Sequence, residues 1–576
     1  MPVSPKAKPL KAKPSATKRI NPAIAITEDL KSSLPEHRSA PVVEEIGQVV
    51  YIGDGICKIS GLPSVRMEDI VQIEPEEGEP IPALVLGMSE TLIEAVVLTD
   101  YTRIRQGNTV RSKGDVLTIA GGEGMLGRIV TPLGEPLDGK GPINSHTQYP
   151  VERQAPGVAK RAPVAEQFEC GVLVVDTLVP LGKGQRELVI GDRKSGKTRL
   201  MANFIINQKG KGIYCVYVAI GAQKAKIRSL QDMLVKAGAM DYTCIVMGGS
   251  DYPPSLNYIA PYAGTAIAES FMYDGKHAII IYDDLSRHAK AYRQMSLLLK
   301  RSPGRDAYPG DIFYLHSRLL ERSAKLHPKL GGGSLTGFPM AETQNGDNSE
   351  YIVTNLMSIT DGHIYLDVNL MHEGVLPAVN SGSSVSRIGG GVQPPALRKT
   401  GELASSQMAR FNEVKSFETL NTEINEETER EIKRGKRLLV IFGQDSKLAL
   451  SNDEKTLLMY LVVTGMSDNV EVTDLKVVRD ELIPFYRAGN YSEYREKSTT
   501  EKDLKALDPY IRTIVTDYLK TCEAPTARYL IESMEQQADA LPIVPDPAAV
   551  AEAEKQAEKD AADAKKAEEK PVEEKK

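Results

Sequence analysis

Residues 191–198 read GDRKSGKT, and this stretch decides how the middle of the chain folds. Its spacing, Gly-x-x-x-x-Gly-Lys-Thr, is typical of a phosphate-binding loop, which requires a strand before it and a helix after it. The β-prone run RELVI precedes the loop, and the helix-prone run TRLMANFIINQ follows the lysine. Both requirements are met, so the sequence predicts a nucleotide site here and not a chance glycine-rich turn.

The residue types of the loop are suited to binding the phosphates of a nucleoside triphosphate. Glycines let the backbone turn so that successive N–H groups face phosphate oxygens, and the following helix N-terminus favours an anion. We predict that Lys197 reaches the outer phosphates of ATP or ADP and that the Thr198 hydroxyl is a ligand of Mg²⁺. The predicted nucleotide-binding residues of the loop are Gly191, Asp192, Arg193, Lys194, Ser195, Gly196, Lys197 and Thr198.

A magnesium site of this kind needs an acid at the end of a neighbouring buried strand. The run HAIIIYDD at 277–284 supplies two. We predict that Asp283, which ends the apolar run, is the second metal-binding residue, with Asp284 as its neighbour.

Composition excludes several function classes. The 576 residues are too many for one ordinary core, and a net charge of −6 does not favour nucleic acid. No apolar run approaches the roughly 18 residues of a membrane span, so we expect any membrane association to be indirect. The five cysteines show no CxxC pair, which predicts unpaired thiols in a reducing compartment. The eight histidines form no HExxH pattern, so no catalytic zinc is expected.

Changes of pattern along the chain predict five regions. Short β-prone runs such as GQVVYIG and DVLTIA indicate a barrel, alternating strands and helices indicate a mostly parallel sheet, and a helical stretch follows. The predicted regions are a disordered extension with a short helix at 28–34 (1–43), a β-barrel domain (44–118), an α/β phosphate-loop nucleotide-binding domain (119–398), an α-helical C-terminal domain (399–546) and a low-complexity charged tail (547–576).

From about Glu44 to about Arg398 the sequence resembles the alpha subunits of F-type ATP synthases. The similar stretches include the loop itself, LGRIVTPLGEPLDGKGPI (126–143), IIIYDDLSRHAKAYRQ (279–294) and PAVNSGSSVSR (377–387). The resemblance implies the same three-domain, RecA-like architecture that the pattern predicts. It also implies an alternating three-plus-three hexamer with beta subunits, a gamma central stalk and a delta or peripheral-stalk subunit.

The resemblance further implies roles for single residues. Alpha subunits bind Mg-nucleotide without turning it over, and catalysis occurs on beta at the interface with alpha. By position Arg387 matches the arginine that alpha inserts into the beta site, Ser384 matches a neighbouring position needed for activity, and Gln444 matches a residue beside the adenine. The implied location is peripheral, on the cytoplasmic face of a bacterial plasma membrane. Because the chain starts with a basic, acid-poor segment, a transit peptide and the matrix side of the mitochondrial inner membrane stay open as the alternative.

Hydrolysis requires a group that activates water, and beta subunits place a glutamate just after the strand that follows the loop's helix. The corresponding strand here, CVYVAIG, is followed by Ala222 and Gln223, neither of which is a carboxylate. The sequence therefore predicts a site that binds nucleotide without a base. The chain also departs from its family, since Lys194 and Ser195 replace the usual Gln and Thr.

Three other interpretations compete with this one. A catalytic hexameric ATPase of the same superfamily, such as a beta subunit or a type III secretion ATPase, is opposed by Ala222. An RNA-translocating helicase needs stacking aromatics in its N-terminal fold, where this chain has only Tyr51 and Tyr101. A scaffold with a relic loop is opposed by the intact Lys197, Thr198 and Asp283.

Overall fold

The structure, a computed structural model, describes residues 45–145, 147–419, 426–444 and 449–521. A closed β-barrel, a mostly parallel sheet between two layers of helices and a helical bundle follow one another along these residues. This layout confirms the predicted fold class. The predicted extension at 1–43, with its helix at 28–34, and the predicted tail at 547–576 lie outside the described residues.

Six short strands close the first part of the chain into a barrel. Along the first strand Gly47 and Val49 are buried while Ile46, Gln48 and Val50 are exposed, as the two-residue period of a strand requires. The strands are β1 (Glu45–Gly53), β2 (Ile56–Ser60), β3 (Asp69–Glu74), β4 (Ile81–Met88), β5 (Ile93–Val97) and β6 (Thr109–Val116). Their order around the barrel is β1-β2-β5-β4-β3-β6, and such closure leaves no unpaired strand edge.

The predicted strand DVLTIA, at 115–120, is wrong as a single barrel strand. The barrel strand β6 ends at Val116, and a separate strand, β7 (Thr118–Ala120), pairs with β9 (Gln148–Pro150) outside the barrel. The apolar pattern continues across the break because Ile119 is buried in a core of the next part of the chain. The two-residue period of apolar side chains does not by itself reveal which sheet a strand joins.

The second part of the chain is built on one eight-stranded sheet. Its order is β16-β15-β10-β14-β13-β11-β12-β8, and only the β15–β16 pair is antiparallel. Burial of both faces explains the apolar runs of the central strands. The strands are β8 (Ile129–Val130), β10 (Leu188–Gly191), β11 (Ile213–Ala222), β12 (Thr243–Gly249), β13 (His277–Asp283), β14 (Ser334–Glu342), β15 (Gly362–Leu366) and β16 (Val385–Ser386).

Helices cover both faces of this sheet. On β10, Val189 packs into one core together with Leu200, whereas Ile190 packs into the other with Ala263 and Ala289. The helices are α1 (Leu173–Leu178), α2 (Lys197–Ile206), α3 (Lys224–Ala237), α4 (Pro254–Tyr273), α5 (Leu285–Leu298), α6 (Ile312–Leu320), α7 (Tyr351–Ile359) and α8 (Val368–His372).

The third part of the described chain is helical. Its helix α11 is buried at every position from Glu454 to Val463, which explains why its sequence shows little amphipathic pattern. The first helix, α9, begins at Pro395, so the domain limit that we predicted between 398 and 399 falls inside a helix; the limits of the domains stay predictions. The helices are α9 (Pro395–Thr419), α10 (Glu426–Phe442), α11 (Asn452–Val463), α12 (Leu475–Ala488), α13 (Ser492–Thr500) and α14 (Leu504–Thr521).

Candidate nucleotide site and interface arginine

The predicted phosphate loop lies between the end of β10 and the start of α2. Strand β10 ends at Gly191, and the helix begins at Lys197. Gly196 has a φ of +96°, a left-handed value that suits glycine, and a Cβ there would have no heavy atom within 4 Å. The loop is therefore open at the helix N-terminus, where backbone N–H groups have no partner within the helix.

Lys197 turns back over its own loop. Its Nζ donates hydrogen bonds to the carbonyl oxygens of Gly191 at 2.5 Å and Asp192 at 2.8 Å. Burial lowers the pKa of this ammonium, and the charges of Asp284 and Glu342 act in the opposite direction. Since an ammonium has three N–H donors, one donor is left for an anion in the loop.

The remaining loop residues divide into a buried and an exposed set. The Asp192 carboxylate accepts hydrogen bonds from Thr343 Oγ1 at 2.6 Å and from the Gly346 N–H at 3.0 Å, which hold one side of the loop. Ser195 is buried, and its Oγ has no hydrogen-bond partner among the described residues. Arg193 and Lys194 are exposed.

The structure brings the two predicted metal-binding residues together. Thr198 Oγ1 donates a hydrogen bond to Asp283 Oδ2 at 3.1 Å, and the Tyr217 hydroxyl donates to the same oxygen. The neighbouring Asp284 has a different task, because its carboxylate accepts from the Arg287 N–H at 2.8 Å and caps α5. Burial raises the pKa of Asp284 to about 6.

This donor set fits Mg²⁺ bound together with a nucleotide. Mg²⁺ prefers hard oxygen ligands and is commonly held by one or two protein groups plus phosphate oxygens and water. Thr198 and Asp283 supply one hydroxyl and one carboxylate. Within the described residues no group of three or more His, Cys, Asp or Glu is arranged to hold a metal ion, so the phosphates would have to complete the site.

Glu342, the last residue of β14, lies beside the loop but was not predicted from the sequence. This strand lies between β10 and β13, and Glu342 is in register with Gly191. The Glu342 carboxylate accepts a hydrogen bond from Arg193 Nε, and its side chain is 12% exposed. The signal was available, since Glu342 ends the buried run SLTGFPMAE as Asp283 ends HAIIIYD.

Arg387 lies far from this loop. It follows the edge strand β16, and its backbone N–H donates to the carbonyl of Asp361, just before β15 begins. Gly191, by contrast, is in register with Leu366 at the other end of β15. Five residue steps separate Asp361 from Leu366, which is about 16 Å along a strand. The guanidinium donates to the Thr360 carbonyl at 3.4 Å, so it points further away from the loop.

Ser384 fastens the segment that leads to Arg387. Its Oγ donates to the Asn380 carbonyl at 2.6 Å and accepts from the Tyr365 N–H at 2.9 Å. The side chain thus joins the loop before β16 to β15, and it reaches neither the phosphate loop nor the Arg387 guanidinium in the hydrogen bonds of this structure.

Comparison with known proteins agrees with the three-part architecture. Residues 42–114 match the beta-barrel domain of the ATP synthase alpha/beta family, 171–386 match its nucleotide-binding domain, and 393–518 match the C-terminal domain of the alpha/beta chain. ATP synthase subunit alpha of Lactococcus lactis subsp. cremoris is 44% identical over 466 residues, which are 80% of this chain and 91% of the relative. ATP synthase subunit alpha of Streptococcus mutans serotype c is 44% identical over 478 residues, 82% of this chain and 94% of the relative. The chain belongs to the ATP synthase alpha subunit family.

Family membership confirms the resemblance noted in the sequence. It makes the chain a part of the ATP synthase complex, with the nucleotide binding, ATP synthesis and ion transport that belong to this complex. The relatives are named as alpha subunits, so the alternatives of a beta subunit, a secretion ATPase and an RNA-translocating helicase lose their support. No helix within the described ranges has both the length and the apolar character needed to cross a membrane.

The position after β11 has no carboxylate, as the sequence of this alpha family member indicated. Ala222 ends the strand and is buried, and Gln223 is exposed before α3. The register shifts here, since Ala219 pairs with Met247 and Ala222 with Gly249, so β11 contains one more residue than β12. This β-bulge places one extra residue in β11 before Gln223, compared with a regularly paired strand.

Gln444 joins the helical bundle to the nucleotide domain. Its Oε1 accepts from the Leu173 N–H at 2.9 Å, and its Nε2 donates to the Gly171 carbonyl at 2.8 Å. Its backbone N–H donates to the Leu376 carbonyl at 2.7 Å. Contact with an adenine base stays a prediction for this alpha family member.

Proposed function

We propose that this chain binds Mg-ATP or Mg-ADP at its own phosphate loop without turning it over, and that Arg387 acts in the catalytic site of an adjacent beta subunit. The chain would thus be the regulatory, non-catalytic partner in each alpha–beta pair. Binding and catalysis would depend on opposite ends of the strands of one sheet.

Support for binding comes from the loop. The open N-terminus of α2 and the remaining donor of Lys197 provide positive potential for phosphates. Thr198 Oγ1 and Asp283 Oδ2 lie 3.1 Å apart beside the loop, and these two residues would hold Mg²⁺ that accompanies the nucleotide. When bound, Mg²⁺ would offset phosphate charge and orient the outer phosphate.

Support for the absence of turnover comes from the residues around the loop. Ala222 and Gln223 offer no base at the end of β11. Glu342 is the carboxylate that the proposal must account for, because it lies at the loop. Arg193 Nε donates a hydrogen bond to this carboxylate, so one of its oxygens already has a positively charged partner.

The position of Arg387 is the observation that supports a role in another subunit. An arginine about 16 Å along the strands from its own loop, and pointing away from it, cannot reach phosphates bound there. It is exposed at the margin of the sheet, where a neighbour can bring its own nucleotide. An arginine supplied in this way typically contributes on the order of 10³–10⁵ in rate.

The proposed assembly follows from these two roles, nucleotide binding by this chain and catalysis on the adjacent beta subunit. Three copies of the chain alternate with three beta subunits around a gamma central stalk, and a delta or peripheral-stalk subunit holds the ring. The ring lies on the cytoplasmic face of a bacterial plasma membrane and reaches the membrane only through the membrane sector. The matrix side of a mitochondrial inner membrane is the alternative.

One experiment tests both halves of the proposal. The chain is purified alone and as a ring with beta and gamma subunits, and Mg-ATP binding and hydrolysis are measured. We expect binding without turnover by the chain alone, turnover by the ring, and a loss of about 10³-fold in the ring with Arg387→Ala. Arg410→Ala, an exposed arginine on α9, serves as the control and should leave turnover unchanged. Turnover by the isolated chain, or a ring indifferent to Arg387→Ala, would refute the proposal.

A further inference from the structure

A buried polar cluster lies directly behind the strand that bears Arg387. It consists of Gln185, Glu187 and Ser386, and the first two are fully buried. Gln185 Nε2 donates to Glu187 Oε2 at 2.7 Å and to Ser386 Oγ at 3.2 Å. Ser386 Oγ in turn donates to the Pro180 carbonyl at 2.6 Å. The cluster therefore links the segment before β10 to the residue that immediately precedes Arg387.

Glu187 lies against β15 at the position where β15 pairs with β16. A Cβ on Gly362 would lie 2.6 Å from Glu187 Oε2 and 2.3 Å from the Val385 carbonyl. Gly362 is the partner of Ser386 in the β15–β16 ladder. The glycine thus allows the carboxyl to lie against the ladder at the point where β16 ends, and any larger residue would push β16 away.

β16 needs such support because it is short. It has two residues and lies at the edge of the sheet, so few ladder hydrogen bonds hold it. A hydrogen bond to a buried side-chain network is stronger than one exposed to water. Within the described part of the chain, the Arg387 guanidinium has only the long hydrogen bond to the Thr360 carbonyl, so its direction depends on the backbone of β16.

The chemistry of Glu187 also argues against a role that consists only of filling space in the core. Its Oε1 is buried and has no hydrogen-bond partner among the described residues, an arrangement that destabilises a fold. Burial raises the pKa of Glu187 well above its usual range, with Asp361 adding to the effect and Gln185 and Arg387 opposing it. The protonated acid has nearly the shape of glutamine and forms the same acceptor for Gln185.

We propose that Glu187 is a positioning residue for Arg387: together with Gln185 it holds β16 against β15, so that the next residue directs its guanidinium toward the neighbouring subunit. The inference rests on the proposed role of Arg387. It predicts an effect on the rate of the neighbour's reaction and none on nucleotide binding at this chain's own loop, which lies at the opposite end of β10 from Glu187.

The test compares Glu187→Ala, Glu187→Gln, Arg387→Ala and the Glu187→Ala/Arg387→Ala double variant in the assembled ring. We expect Glu187→Ala to lower kcat by about tenfold to hundredfold, because a small displacement of a catalytic group has effects of this size. KM for Mg-ATP and nucleotide binding at the phosphate loop should not change. Glu187→Gln should keep most of kcat, and the double variant should be no slower than Arg387→Ala.

Controls separate positioning from instability. Ile364→Val, a buried change on β15, shows how kcat responds to a looser sheet. Ser386→Ala removes the partly exposed end of the same cluster and serves if Glu187→Ala does not assemble; it should lower kcat without changing KM. Both comparisons are made on rings whose subunit ratio has been verified.

Three results would overturn the inference. The first is a Glu187→Ala ring, or a Ser386→Ala ring if the former does not assemble, that turns over at the wild-type rate. The second is a double variant whose loss is the product of the single losses, since independent effects multiply. The third is a Glu187→Gln ring as slow as Glu187→Ala, because the proposed contact needs an acceptor and no charge. If Arg387→Ala itself has no effect, the proposed function fails first, so the two failures are distinguishable.

Discussion

The hydroxyl of Thr198 lies 3.1 Å from Oδ2 of Asp283, although 85 positions separate the two residues in the chain. Thr198 is the second residue of the helix after the phosphate loop, and Asp283 ends a strand two places away from β10 in the sheet. Parallel strands bring their carboxyl ends to a common edge, which is where doubly wound sheets bind ligands. The pair defines the place where a metal–phosphate complex would be held.

The first prediction concerns the metal. Asp283→Asn should weaken Mg-ATP binding by the isolated chain by about 10- to 100-fold, since interactions with a charged group contribute about 1.5–3 kcal/mol. Binding of ATP in the presence of a chelator should hardly change. Isothermal titration with and without Mg²⁺ checks this. Asp274→Asn, an exposed acid at the end of α4, is the matched control, and equal losses with and without the metal would contradict the assignment.

The second prediction concerns the loop lysine. Lys197→Gln should reduce affinity for ATP and ADP by about 10- to 100-fold, because it replaces an ammonium that faces the phosphates. Lys194→Gln, three residues away and exposed, should have a smaller effect if its side chain points to solvent. Displacement of a fluorescent nucleotide measures both variants. A larger loss in Lys194→Gln would mean that Lys194, and not Lys197, is the principal phosphate contact.

The third prediction concerns Glu342 and the absence of turnover. If Glu342 is no general base, then Glu342→Gln and Arg193→Gln should both leave the isolated chain without ATP hydrolysis. Release of phosphate from radiolabelled ATP is sensitive enough to decide. A rise in hydrolysis in Arg193→Gln that disappears in the double variant with Glu342→Gln would show instead that the arginine restrains a competent base.

The fourth prediction concerns stability and pH. His288 Nδ1 and His316 Nε2 lie 3.3 Å apart in a buried cluster, where the Tyr258 carbonyl contacts the other nitrogen of His288 and Arg318 lies nearby. Burial lowers the pKa of His316 to about 4, and burial together with His316 lowers the pKa of His288. Both rings are therefore neutral in the folded protein at a pH where they would be protonated in the unfolded chain.

The sign of the pH effect follows from these directions. Between pH 6.5 and about 4 the unfolded chain binds more protons than the folded one, so stability falls as the pH falls. For His316 alone the loss from pH 8 to pH 5 is about 2 kcal/mol. Denaturant midpoints across this range should shift less in His316→Leu than in the wild type, whereas the exposed His372→Gln should behave as the wild type. Parallel pH profiles for wild type and His316→Leu would contradict the assignment.

Much of the architecture could be read from local patterns. The loop spacing, the strand before it and the helix after it involve neighbours in sequence, so residue type alone specifies them. The buried run of β13 ends at Asp283 because apolar residues stop where the strand leaves the core. The prediction for DVLTIA was wrong because the alternation of apolar and polar residues indicates only that a strand is buried on one face. Both sheets bury their strands, so the alternation does not distinguish between them.

What the sequence by itself determined is therefore the set of elements and the chemistry of the phosphate loop, since both arise from contacts within a few residues. The tertiary structure alone decided three matters. It placed Glu342 beside the loop, it used the amide of Gln444 to join two domains, and it set Arg387 at the opposite end of the strands from Gly191. The positions of Glu342 and Arg387 depend on the order in which the strands lie side by side, and the contact of Gln444 depends on how the helical bundle packs against α1. Both are properties of long-range packing, which no local pattern encodes.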